Sequence, residues 1–89
     1  MERRAVRLVN RLGLHARAAS KLVQKAAEFD CEVRLARGER CVNAKSIMGV
    51  LMLAAPVGTE LVLECDGADE AEAAAALVEL IEQRFGEPE

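Results

Sequence analysis

Hydrophobic period switches back and forth along this 89-residue chain, and the order of the switches leaves few ways to fold it. Val6 and Leu8 alternate with Arg7 across Ala5 to Val9, the two-residue period of a strand half covered by a core. Ala18/Ala19, Leu22/Val23 and Ala26/Ala27 then recur on one helical face, predicting a helix from about His15 to about Ala27. Alternation returns over Cys31 to Leu35, breaks at Arg37-Gly38-Glu39 and resumes over Arg40 to Asn43, the pattern of a hairpin. Ser46 stands where it can N-cap a short helix running from Ile47 to Leu53, which Pro56 and Gly58 close. A fourth strand spans Glu60 to Cys65. From about Asp69 to Arg84 an alanine-rich segment carries Ala74, Leu77, Val78, Ile81 and Phe85 at helical spacing.

The resulting order is β-α-β-β-α-β-α, with too few strands and connections too short for a doubly wound sheet. The pattern predicts an α+β open-faced β-sandwich: a four-stranded antiparallel sheet covered on one face by three helices. One domain over residues 1–89 is long enough to bury a core without metal or disulfide support. Trp and Tyr are absent and Phe29 and Phe85 are the only phenylalanines, so aliphatic residues must build that core. The scarcity of aromatic stacking platforms and the net charge of -3 argue against a nucleic-acid partner. Cys31, Cys41 and Cys65 are odd in number and lack C-x-x-C spacing, which implies no disulfide framework. Each falls in a strand-like run and is expected to be a small buried or half-buried apolar residue. With one histidine to join them they offer no metal set, and nothing in the chain calls for a cofactor. Arg7 interrupts any signal-peptide apolar region, and no run of about 20 apolar residues exists to span a membrane. These features point to a cytoplasmic protein with no membrane partner.

The chemistry concentrates at His15, in the run Gly13-Leu14-His15-Ala16-Arg17-Ala18-Ala19. A helix start carries roughly half a positive charge and several N–H groups without intrahelical partners, so the amides of Ala16, Arg17 and Ala18 are candidate anion ligands. An imidazole placed there can accept a phosphoryl group, and Arg17 offers a planar fork of donors for its oxygens. Gly13 permits a tight turn into the helix. A plain surface histidine or a poor N-cap would also satisfy the pattern.

The segment Gly-Leu-His-Ala-Arg resembles the active-site signature of the HPr family, the histidine phosphocarriers of phosphoenolpyruvate-dependent phosphotransferase systems. A second stretch, Asn43-Ala44-Lys45-Ser46-Ile47-Met48-Gly49-Val50, is similar to the family's regulatory-serine segment, at the family's separation. The resemblance covers essentially the whole chain and implies the same open-faced sandwich. It implies that His15 is phosphorylated on Nδ1 by enzyme I and passes the group to an acceptor of the EIIA type, with Arg17 as anion partner. It also implies that Ser46 is a site for a serine kinase and phosphorylase, although N-capping alone accounts for a serine there. Ala18 stands where most members have proline; it restores an amide donor to the first turn and is similar to some members of the nitrogen-related branch.

The short helix after Ser46 is apolar nearly all round, and a two-layer domain of this size cannot easily enclose it. Some of Ile47, Met48, Leu51 and Met52 are therefore expected to face solvent, ringed by Arg11, Arg17, Lys21 and Lys45, and the resemblance implies that these apolar residues join the histidine region in docking partners. Two other functions compete with a monomeric phosphocarrier. A phosphatase or phosphotransferase using His15 as nucleophile would need a positioned general acid and a substrate pocket, and the chain offers no second histidine and no P-loop. A regulatory interaction module would leave the histidine incidental.

Overall fold

The structure, a computed structural model, describes every residue from Met1 to Glu89. Strands β1 (Glu2–Arg7), β2 (Glu32–Arg37), β3 (Arg40–Asn43) and β4 (Glu60–Asp66) form one antiparallel sheet in the order β1-β4-β2-β3. Helices α1 (Ala16–Ala26), α2 (Ile47–Met52) and α3 (Glu70–Glu82) cover one face. The expected α+β open-faced sandwich is the observed architecture.

Strand alternation decides which face is covered. Register sets Val6 opposite Leu61, Leu35 opposite Leu63 and Val33 opposite Cys65, and all six are buried. Against them lie Ala18, Ala19, Leu22 and Ala26 of α1, Val50 of α2, and Ala73, Ala74, Leu77 and Ile81 of α3. Alanines along α1 and α3 carry little side-chain volume, so the two helices pack closely on one another as well as on the sheet. The open face instead carries charge: Arg3 and Arg34 both meet Glu64, Arg34 also meets Glu32, and Arg7 meets Glu60. Such exposed pairs stabilise little individually; they leave the uncovered face wet and soluble.

Several boundaries differ from the sequence reading. β1 starts at Glu2 and ends at Arg7 rather than spanning Ala5 to Val9, because its polar first half pairs through backbone with Cys65, Glu64 and Leu63, and hydropathy does not register backbone pairing. Leu8, past the strand, is nonetheless buried and shares two backbone hydrogen bonds with the Gly58–Thr59 turn. Cys31 and Cys65 are buried as expected, and burial pushes the Cys65 thiol up to about 11. Cys41 is exposed: β3 is an edge strand, and this residue points away from the covered face.

The end of α3 departs furthest. The helix stops at Glu82, and Arg84, Phe85 and Gly86 follow with φ of 59°, 55° and 79°. Phe85 therefore does not continue the helical stripe. The left-handed turn swings its ring into the core, where it is among the largest fully buried side chains, and redirects the last three residues. Left-handed backbone at two non-glycine residues costs about 1–2 kcal/mol each; burial of the phenyl ring, at about 1.5–3 kcal/mol, offsets much of it.

Candidate functional site

His15 is the N-cap of α1, with extended backbone (φ -76°, ψ 178°) and a side chain that makes no capping bond. Its carbonyl accepts from the Ala19 amide at 2.8 Å, so the helix begins at this residue while the imidazole stays free for other work. The turn before it is tightly held. Gly13 has φ +64°, and a Cβ there would come within 2.6 Å of the Ala55 carbonyl oxygen and 2.9 Å of Pro56 backbone. The Leu14 amide donates to the same carbonyl at 2.9 Å. Asn10, fully buried, donates through Nδ2 to the Gly13 carbonyl at 2.7 Å.

An open cavity of about 600 Å³ adjoins the imidazole, lined by Arg11, Leu12, His15, Arg17, Glu87, Pro88 and Glu89. Arg17 is exposed and reaches it from the first turn of α1. The cavity holds His15 and Arg17 together, as the sequence reading requires. Of the three amides nominated for an anion, Ala16 and Arg17 belong to exposed residues, whereas Ala18 is fully buried. Its methyl group faces the core, so the extra donor left by the missing proline does not open to phosphate or water.

Residues 87–89, absent from the sequence reading, form the far wall. Glu87 Oε2 is hydrogen-bonded to His15 Nε2, and Glu87 Oε1 accepts from Asn10 Nδ2 at 3.0 Å. Burial works to raise the Glu87 carboxyl, but the hydrogen bonds from Asn10 and His15 and the charges of His15 and Lys21 outweigh it and hold the group below the ordinary carboxylate range. Glu87 is thus an ionised acceptor at neutral pH, and the proton in the contact belongs to the imidazole. Sequence alone offered only a faint pointer, Gly86 just past a helix end, the position that reverses a chain.

The structure gives three of the four expected rim cations another duty. Arg11 pairs with the Glu89 carboxylate at 2.8 Å, the Lys21 ammonium donates to the Phe85 carbonyl at 2.6 Å, and the Lys45 ammonium donates to the Phe29 carbonyl at 2.7 Å. Arg17 alone makes neither a hydrogen bond nor an ion pair through its side chain. The positive rim is consequently weaker than a count of basic residues suggests. On α2, Ile47, Met48 and Met52 are exposed, at 38%, 67% and 59%, while Leu51 is half-buried against the core. Ser46 caps α2, its Oγ accepting from the Gly49 amide at 3.2 Å.

No helix is long and apolar enough to cross a membrane. The chain matches the family described as "PTS HPr component phosphorylation site" over residues 2–83. The phosphocarrier protein HPr of Cupriavidus necator is 54% identical over 89 residues, covering both chains completely, and that of Neisseria meningitidis serogroup A is 52% identical over the same span. Among solved structures, HPr-C-His from Thermoanaerobacter tengcongensis superposes with a TM-score of 0.97 at 42% identity over the full length of both chains. Phosphocarrier protein HPr from Bacillus anthracis gives 0.87 at 34% identity, covering 90% of this chain and 95% of that one. The sandwich, the histidine at a helix start and these likenesses together make the chain a member of the HPr family, a phosphocarrier of the phosphotransferase system rather than a turnover enzyme.

Proposed function

We propose that His15 is the phosphoryl carrier atom group of this protein, accepting on Nδ1 from enzyme I and delivering to an acceptor of the EIIA type. The observation that carries this reading is the geometry of the imidazole. Its Nε2 is engaged by Glu87, its Nδ1 has no protein partner, and its side chain keeps 27% of its surface exposed beside Arg17. A phosphoryl group on Nδ1 would sit at the α1 start, where the dipole and the Ala16 and Arg17 amides favour negative charge. Arg17 supplies donors during transfer. Docking falls to Ile47, Met48 and Met52 with Leu51 beneath them, and to the charges of Arg11, Arg17, Lys21 and Lys45 around them. A serine kinase and phosphorylase acting on Ser46 would modulate that docking. The protein works as a cytoplasmic monomer, in a sugar or nitrogen-related branch.

Incubation with enzyme I and labelled phosphoenolpyruvate tests the site. Acid-labile label is expected on the native chain and none on His15→Ala; label on that variant would move the site elsewhere.

A further inference from the structure

The C-terminal tail is built into the site in a manner that a loose end would not be. Three consecutive left-handed residues turn it back from α3. Phe85 anchors it in the core, Lys21 clamps the Phe85 carbonyl, and Arg11 binds Glu89 through both backbone amide and guanidinium at 2.9 and 2.8 Å. Between these anchors Glu87 spans Asn10 and His15. Backbone strain held against a functional side chain has a use there.

We infer that Glu87 is a positioning residue for phosphoryl transfer, orienting the His15 ring so that Nδ1 presents its lone pair and answering the positive charge that the ring acquires as that lone pair is given. The inference rests on His15 being the acceptor. In the step itself, the Nδ1 lone pair forms a bond to phosphorus while the donor's bond to phosphorus breaks, its electron pair staying with the donor atom. The Nε2 proton stays in place, so the ring becomes an N-phosphoimidazolium. Its new positive charge lies between the phosphoryl group on one nitrogen and the Glu87 carboxylate on the other. In the return step the same proton keeps the departing imidazole neutral.

Timing decides the sign of the effect. The phosphoryl charge is already beside Glu87 when the donor docks, so its repulsion with the carboxylate is felt on binding. The ring charge exists only as the bond forms, so its attraction is felt in the transition state. The charges of Arg11, Arg17 and Glu89 line the same cavity, that of Lys21 acts on Glu87 from outside it, and all four are unaltered by a change at position 87.

Glu87→Gln keeps a hydrogen-bond acceptor and removes the charge. In rapid-quench transfer from phosphorylated enzyme I, the maximal rate is expected to fall by about tenfold, the lower end for loss of a charge-assisted hydrogen bond, while the carrier concentration for half-maximal rate does not rise. Glu87→Asp, shorter but charged, should recover part of the rate. In 15N spectra of the unphosphorylated protein, the ring proton should reside on Nε2 in the native chain and exchange faster with solvent in Glu87→Ala. Unchanged maximal rates in Glu87→Gln, or faster ones, would overturn the inference, faster rates marking the tail as an obstructive strap. A ring proton on Nδ1 would overturn it as well. Failure of the acceptor assignment is separable, because it appears as labelling of His15→Ala.

Discussion

Gly13→Ala is the sharpest test of how the His15 turn is held, because two costs meet at one methyl group. The first is conformational: at φ +64° an L side chain costs about 1–2 kcal/mol. The second is steric. The new Cβ would lie 2.6 Å from the Ala55 oxygen and 2.9 Å from Pro56 Cα and carbonyl carbon, all backbone atoms that cannot rotate away. Forced overpacking of this kind costs about 1–3 kcal/mol. Together they predict a loss of about 2–5 kcal/mol, a large share of the roughly 5–15 kcal/mol that stabilises a domain. At about 4–8 °C per kcal/mol for a chain of this size, Tm should fall by about 8–40 °C. Gly38→Ala separates the two costs: Gly38 has φ +58° but nothing within 4 Å of its absent Cβ, so it should lose the conformational part alone. Thermal and urea unfolding of both variants measure the difference. Equal losses in the two would refute the claim that contact with Ala55 and Pro56 holds the turn.

Arg17→Ala should slow phosphoryl transfer about ten- to a hundredfold with the fold intact, and Arg17→Lys should recover only part, since a lysine lacks the planar fork; rapid-quench transfer measures both. Ser46→Ala should cost about 1 kcal/mol by removing the oxygen that accepts from Gly49, read in urea unfolding. Ser46→Asp, which can still cap, should keep that stability and bind enzyme I more weakly in calorimetry; unchanged affinity in both the mimic and the phosphorylated protein would leave Ser46 a cap only.

The sequence revealed the parts of the fold that depend on side-chain pattern and hid the parts that depend on distant backbone. α1 was legible almost to the residue, because Ala18, Ala19, Leu22 and Ala26 mark its buried face and Gly13 its approach. The α2 patch was legible because a six-residue helix carrying Ile47, Met48, Val50, Leu51 and Met52 has more apolar surface than one neighbour can cover. The first half of β1 was not, since Arg3 and Arg4 gain their order from pairing with β4 about sixty positions away. Nor was the exposure of Cys41, which depends on β3 lying at an edge. At the site, His15 and Arg17 share a single helical turn and could be read together. Glu87 lies 72 positions from His15, and its approach depends on Arg84 and Phe85 adopting a left-handed backbone that neither residue favours.

The same contacts that hold the turn connect docking to chemistry. The segment leaving α2 ends at Ala55 and Pro56, and this is the backbone against which Gly13 and Leu14 are pressed. α1 and α2 also pack on one another. If partners dock on Met48 and Met52 as proposed, they would meet His15 at an offset fixed by close-packed backbone rather than by a flexible loop. In-line transfer between two proteins needs that fixed offset, because a misplacement of about 1 Å can cost about a hundredfold in rate. On the proposed assignment the carrier would offer the His15 imidazole, Arg17 and a helix start in an open cavity. A site that wrapped the phosphoryl group more completely would hold the phosphorylated state too firmly to pass it on.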